Sequence, residues 1–348
     1  MIESTSGDIL KARVEALVNT VNCVGVMGRG IALQFKKAFP ENFAAYKTAC
    51  QNRELDPGRV LVVSLAESSS PKYIINFPTK RHWRGKSQLE DIDSGLVALV
   101  SEVREREISS IAIPPLGCGL GGLEWSVVRP RIEQAFQTLP RVHVLLFEPV
   151  GSPPANEMVN SSTKPSMTHG RACLIGLMRR YLSAVMDPWI SLLEIHKLMY
   201  FMQESGEPLR LNYSKGHYGP YSKNLRHVLN RIEGHFISGY GDAEDDPTRQ
   251  IQLLDNAVAH AEQSLSRHEE SQRRFDRVVH LIEGFESSYG IEVLSSVHWV
   301  QSREGVSSPD DAIASVHGWN KRKQAFSADH IRQAWQVLDE RGWLKTPR

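Results

Sequence analysis

The chain has 348 residues, about twice the length of a comfortable single domain, so two domains are the natural expectation. Lys plus Arg (41) nearly cancels Asp plus Glu (40), and a hydrophobic share of 41% is that of an ordinary globular protein, which excludes a disordered chain and any broad attraction for polyanions. Recognition of DNA or RNA therefore has to come from a local patch.

Met1 to Asp8 carry neither the basic start nor the apolar stretch of a secretory signal, and no apolar run reaches membrane-spanning length, so a cytoplasmic protein is expected. Cys23, Cys50, Cys118 and Cys173 form no CxxC pair and no cluster at zinc spacing. Reduced, packed thiols are expected, with no metal and no cofactor.

Short β-branched runs alternate with helical patterns from the N-terminus to residue 149. In chain order the patterns predict a strand over Ala16–Val18, helices over Gly30–Ala38 and Glu41–Asn52, strands over Val60–Ser64 and Tyr73–Phe77, and a helix over Gln88–Arg104. A strand over Ile111–Ile113, a helix over Ser126–Thr138 and a strand over Val142–Leu146 complete the series. Such alternation builds βα units and a largely parallel sheet covered on both faces, with its ligand crevice at the carboxyl ends of the strands.

Three segments follow those ends. After the first strand comes Asn19-Thr20-Val21-Asn22-Cys23-Val24-Gly25-Val26-Met27-Gly28-Arg29-Gly30-Ile31-Ala32, where glycines let the backbone approach a ligand and the following helix start favours an anion. Pro114-Pro115-Leu116-Gly117-Cys118-Gly119-Leu120-Gly121-Gly122-Leu123-Glu124-Trp125 is a second glycine loop that also runs into a helix. Two such loops on different strands of one sheet suit a diphosphate held from both sides, whereas neither alone matches a nucleotide fingerprint. Between them, Lys80-Arg81-His82-Trp83-Arg84-Gly85-Lys86 is a short basic stretch enclosing an aromatic, fitted to single-stranded nucleic acid through phosphate contacts and stacking, or else a solvated loop with a packed Trp.

Residues 150–170 contain three prolines and many small polar residues and read as a linker. Residues 171–348 read as a mainly α-helical second domain. An apolar stripe at helical spacing runs from Trp189 to Phe201, and another helix is expected from Phe326 to Arg341, with Ser327 as N-cap and Gly342 as stop. The acidic run Asp242 to Asp246 is either a solvated loop or an imitation of nucleic-acid phosphates.

Gly7-Asp8-Ile9-Leu10, the Asn19 to Ala32 run, PPLGCGLGGLEW and the closing Phe147-Glu148-Pro149 together resemble the macrodomain family, ADP-ribose-binding modules of three-layer α/β/α architecture with a mixed, mostly parallel sheet. The resemblance spans residues 1–149. It implies that Asp8 accepts from the adenine amine with the Ile9 amide beside it, and that Asn22 touches the distal ribose. Gly28, Arg29, Gly30 and Ile31 would hold the diphosphate with Gly117, Cys118, Gly119, Leu120 and Gly121, and Phe147 would lie against adenine. Asn76-Phe77-Pro78-Thr79-Lys80 is similar to the macrodomain branch containing an animal terminal ADP-ribose glycohydrolase and a bacterial antitoxin. This implies a catalytic Lys80 with Thr79 at the same crevice.

A lysine does such chemistry as the neutral amine, which requires its pKa to fall from about 10.4. Arg81 and Arg84 are the expected source of that depression. The animal relative carries an acidic residue in the second glycine loop, whereas this chain has no carboxylate there before Glu124. The difference favours a DNA-base glycosidic substrate over a protein glutamyl ester, with Arg81, His82, Trp83 and Arg84 as DNA contacts. A non-catalytic ADP-ribose reader and a hydrolase of ADP-ribosylated carboxylates or O-acetyl-ADP-ribose are the alternatives. His196 to Phe201 and His217 to Ser222 resemble a helical antitoxin domain. The implied partner is a DarT-type DNA ADP-ribosyltransferase toxin, with ADP-ribosylated single-stranded DNA as substrate.

Overall fold

The structure, a computed structural model, describes residues 1–66, 69–149, 153–154, 157–241 and 245–344. The chain divides into two compact units, one over Met1–Thr163 and the other over Lys164–Gly241 and Asp245–Arg348. No helix among the described residues is long and apolar enough to cross a membrane.

The first unit runs β1 (Ile2–Thr5), β2 (Ala16–Asn22), α1 (Gly30–Ala38), α2 (Pro40–Gln51), β3 (Leu61–Ser64), β4 (Tyr73–Lys80), α3 (Leu89–Glu105), β5 (Ser110–Ile113), α4 (Trp125–Phe136) and β6 (His143–Phe147). Its sheet has the order β1-β6-β5-β2-β4-β3. β3 pairs antiparallel with β4, and the other neighbours are parallel.

Side chains alternate across the strands and build a separate core on each face. Ala16, Val18, Ile75, Phe77, Ile111, Ile113, Val144 and Leu146 pack with Ile92, Leu96, Leu99 and Val103 of α3 and Val128, Ile132 and Phe136 of α4. The intervening Leu17, Ile74 and Ala112 pack on the other face with Phe35 of α1, Ile9 and Phe147. Tyr46 of α2 joins Val21, Met27 and Leu55 nearby. The result is the expected three-layer α/β/α arrangement.

Two strands run past their expected ends and one strand was not anticipated. β2 continues through Asn19 to Asn22 and β4 through Pro78 to Lys80. The polar residues there look like loop, but Asn19 is fully buried and bonds with the equally buried Asn76 of β4, which in turn bonds with Asn42 of α2, while Asn19 Oδ1 has no hydrogen-bond partner. Asn19 Nδ2 donates to Asn76 Oδ1 at 3.0 Å, and Asn76 Nδ2 donates to Asn42 Oδ1 at 2.7 Å. The pairing of β2 with β4 slips by one residue between Val21 and Asn22, so that Asn22 lies opposite Lys80. β1 is a largely exposed edge strand without an apolar run, held by its register with β6 from Ile2↔Val144 to Thr5↔Phe147.

The second unit contains α5 (His169–Val185), β7 (Ile190–Ser191), α6 (Leu192–Glu204), β8 (Tyr213–Gly216), β9 (Gly219–Ser222), α7 (Leu225–Ile232), β10 (Ile237–Ser238), β11 (Gln250–Leu253), α8 (Ala257–Leu265), α9 (Glu269–Ile282), α10 (Ser288–Glu304), α11 (Pro309–Trp319) and α12 (Ala328–Glu340). It is mainly helical. β10, β11 and β7 form one small sheet and β8 and β9 a hairpin. α5 begins two residues inside the stretch read as linker. The stripe beginning at Trp189 divides: Ile190 and Ser191 are strand, and the helix starts at Leu192 behind a capping box in which Ser191 and Glu194 bond reciprocally. Ser327 caps α12 and Gly342 takes a positive φ just beyond it, as expected.

The interior of this unit holds an ionic cluster. Glu292 is fully buried on α10, receives Lys323 at 2.6 Å and Arg322 at 2.9 Å, and lies among Ser296 and the buried Lys197 of α6.

Candidate active site

The carboxyl ends of β2, β4 and β5 bring the two glycine loops and Lys80 to one edge of the sheet. The first loop is closed by its own strand. Asn22 Oδ1 accepts from the Val24 amide (3.0 Å), the Val26 amide (3.4 Å) and the Tyr46 hydroxyl (3.1 Å), and its Nδ2 donates to the Val26 carbonyl at 2.5 Å. Gly25 and Gly30 take positive φ, which glycine adopts without strain. α1 then starts at Gly30 with no side chain capping its first-turn amides, at Gly30 and Ile31. Gly28 and Arg29 form the approach to it.

The second loop is shaped by close packing. A Cβ on Gly121 would stand 2.1 Å from the Gly117 carbonyl oxygen and 2.3 Å from Ser87 Oγ, so only glycine fits. Gly117 has φ +72° and its carbonyl accepts from Leu123, while Ser87 donates its amide to the Gly121 carbonyl. Gly119, in contrast, faces open space. Leu120 is 62% exposed at the tip of this loop, and its Cδ1 comes within 3.9 Å of where a Gly30 Cβ would be. The two loops therefore face each other across the crevice.

Lys80 ends β4 between them, half-buried, with its Nζ donating to the Leu120 carbonyl. Burial lowers its pKa from that of an ordinary lysine. The expected cationic cause does not operate: Arg81 is turned to Asp91 in a 2.7 Å ion pair, and desolvation alone moves the Lys80 amine. Cys23 of the first loop donates its thiol to the Lys80 carbonyl at 3.5 Å and ties that loop to the strand end. Burial pushes the Cys23 thiol up to about 12 and the Cys118 thiol up to about 11, so both are held as thiols. Thr79 is buried in β4.

Asp8 caps the turn over Ile9–Lys11, its Oδ1 accepting from the Leu10 amide at 2.9 Å. Its other oxygen, Oδ2, is buried without a hydrogen-bond partner. Such an acceptor is costly to leave unpaired and marks a place for a donor from outside the chain. Phe147 and Ile9 belong to the same buried cluster, so the Phe147 ring serves the core beneath this position.

In the basic stretch, His82 stacks on Trp83 with centroids 5.4 Å apart, Arg84 stands 4.6 Å over the Trp83 ring, and the Arg84 amide donates to His82 Nδ1 at 3.2 Å. Trp83 remains 39% exposed. The stretch is thus an ordered turn presenting cations around a partly open aromatic. No group of three or more His, Cys, Asp or Glu that could hold a metal ion occurs among the described residues.

A family model described as Macro domain matches residues 18–132. Over 344 residues the chain is 46% identical to a DNA ADP-ribosyl glycohydrolase of Mycobacterium tuberculosis, covering 95% of this chain and 97% of that protein. The chain belongs to the DNA ADP-ribosyl glycohydrolase family. A Thermus aquaticus member of that name is 42% identical over 345 residues, covering 99% of this chain and 95% of its own. A Thermosipho africanus DNA ADP-ribosyl transferase-DNA ADP-ribosyl glycohydrolase fusion protein matches over 139 residues at 37% identity, covering 36% of each chain.

In this DNA ADP-ribosyl glycohydrolase scaffold, the residues that sequence reasoning missed are those that hold the named ones in place. Tyr46, Ser87 and Asp91 fix Asn22, Gly121 and Arg81 respectively. The signal for Tyr46 was its place with Phe43, Ala49 and Cys50 on the apolar side of a predicted helix, and Ser87 and Asp91 carried none.

Proposed function

We propose that the first unit removes ADP-ribose from DNA, acting on thymidine bases of single strands, and that the second unit binds a DarT-type toxin that installs the modification. The observation carrying the reading is Lys80, an amine depressed by burial and without a carboxylate partner, at a strand end beside two facing glycine loops. In this reading Asp8 Oδ2 accepts from the adenine amine, with the Ile9 amide alongside and Phe147 beneath the base. Gly28, Arg29, Gly30 and Ile31 face Gly117, Cys118, Gly119, Leu120 and Gly121 across the diphosphate. Asn22 and Thr79 border the distal ribose.

The neutral Lys80 amine attacks the anomeric carbon of that ribose while the bond to the base nitrogen breaks and the base leaves with a proton. The resulting imine of the opened sugar is hydrolysed by water, which returns the amine and releases ADP-ribose. Arg81, His82, Trp83 and Arg84 carry the flanking strand, cations on phosphates and Trp83 against a base. The fused transferase and glycohydrolase of the Thermosipho relative supports pairing with a toxin. The acidic run bears on this only through Asp245 and Asp246, since 242–244 lie outside the described residues. Asp246 Oδ1 is engaged locally by the Thr248 amide and hydroxyl, the arrangement of a solvated turn.

Parallel incubation with ADP-ribosylated single-stranded DNA and with glutamyl-ADP-ribosylated protein tests the substrate. Release from DNA alone is expected, and release from protein alone overturns the reading. Capture of the toxin by the full chain and not by residues 1–163 tests the second unit.

A further inference from the structure

A pocket of about 700 Å³ opens in the second unit between the start of α5, the segment after α6 and the end of α8. Its floor is apolar, built from Met199, Leu209, Leu211 and Leu225. Its rim is cationic or imidazole, with Arg171, Arg267, His169, His260 and His268. The one carboxylate among the lining residues is Glu207, and it is engaged by Arg274 at 3.1 Å and by the Ser271 hydroxyl at 3.0 Å. Arg171 donates to the Ser166 carbonyl, and neither it nor Arg267 meets a carboxylate. Burial and repulsion from Arg231 make the Arg171 charge harder to hold. His169 and His268 are in ring contact, with centroids 3.4 Å apart, and add further potential donors at the same rim. Thr168 caps α5 with its own hydroxyl, so the rim side chains rather than the helix end present the donors.

Like charges gathered at a pocket without a counterion are costly, and an anion that enters relieves that cost. Guanidinium forks match phosphate oxygens, and the volume suits a small organic ligand whose other end needs apolar cover. We propose that this pocket binds a nucleotide, its phosphates between Arg171 and Arg267 and its base and sugar on the Met199, Leu209 and Leu225 floor.

Equilibrium dialysis of the full chain against dTMP and inorganic phosphate, neither of which carries the adenine or the diphosphate assigned to the first unit, tests this, with Arg171→Gln/Arg267→Gln, Arg267→Gln and Arg267→Lys alongside. Arg267 is exposed at the end of α8, so its variants keep the fold. The expected result is nucleotide binding weakened at least tenfold in the double variant, weakened in Arg267→Gln and largely kept in Arg267→Lys. ADP-ribose binding by the first unit is unchanged in all three. Equal nucleotide affinity in wild type and double variant, or no nucleotide bound at millimolar concentration, overturns the proposal. Phosphate binding that is as tight as dTMP binding and is lost in the double variant also overturns it, because the floor then contributes nothing. Loss of toxin capture in a variant of a chain that binds no nucleotide assigns the pocket to a protein contact instead.

Discussion

Lys80 Nζ donates to the main-chain carbonyl of Leu120, so the proposed reactive amine is tied to the tip of the loop that faces it across the crevice. The contact joins the end of one strand to the exposed apex of another segment without any acidic partner. In the proposed mechanism, attack requires that bond to be given up, and the amine then meets the sugar rather than a carboxylate. Lys80→Ala is expected to lower release of ADP-ribose from DNA by at least a thousandfold while calorimetry still finds ADP-ribose binding. Substantial residual turnover removes Lys80 from the chemistry.

Because burial lowers the Lys80 pKa, the neutral amine forms at lower pH than on an exposed lysine. The rate of the chemical step should rise with pH and level off below the pH at which free lysine titrates. Single-turnover rates across alkaline pH check the sign: a rate that falls as pH rises requires a protonated Lys80 and a different role.

The second loop separates two glycines by mechanism. Gly121→Ala drives a methyl into the Gly117 carbonyl and Ser87, and is expected to weaken ADP-ribose binding at least tenfold and to cost about 1–3 kcal/mol of stability. Gly119→Ala points into open space and should change stability by less than about 0.5 kcal/mol. Calorimetry and thermal melts on the pair distinguish loop shape from general glycine loss.

Glu15 offers a pH test of the fold away from the crevice. Its carboxylate accepts from the Ser109 hydroxyl and amide at 2.6 Å each and from Lys72 at 2.9 Å, which together pull its pKa from 4.5 down to about 2. The folded pKa lies below the unfolded one, so the stabilisation is present above about pH 4.5 and is lost as pH falls toward 2. Solvent screening keeps the effect modest, and Glu15→Gln should cost about 1–2 kcal/mol at neutral pH and almost nothing near pH 2. Denaturant midpoints at both pH values decide it.

In the second unit, Glu292→Ala strips the fully buried Lys323 and the more exposed Arg322 of their shared, fully buried partner. The expected cost is about 3–5 kcal/mol, because a cation is left without compensation. Differential scanning calorimetry should show this loss while DNA de-ADP-ribosylation by the first unit persists. An unchanged melt means that water reaches the cluster.

The alternating pattern made the α/β/α layers legible, since Ala16 to Val18, Ile111 to Ile113 and their partners are apolar on both faces, and the glycine spacing placed both loops. What stayed hidden was carried by polar groups that are satisfied only in three dimensions. Asn19 reads as loop because its partner Asn76 lies on a different element, and the extension of β4 to Lys80 passes through Pro78, a residue that argues against a strand. The start of α6 was written in Ser191 and Glu194, yet the apolar stripe beginning at Trp189 overrode that cap. Arg81 illustrates a different limit: a cation next to Lys80 in sequence says nothing of the Asp91 ten residues on that claims it.

Asn22 gives the first glycine loop its shape before any ligand arrives, through the bonds to Val24, Val26 and Tyr46. On the proposed reading, a segment already fixed in this way surrenders little conformational entropy when it receives a diphosphate. Association then needs no slow folding of the loop around its guest, and differences in affinity among ligands fall on how long each one stays rather than on how fast it enters.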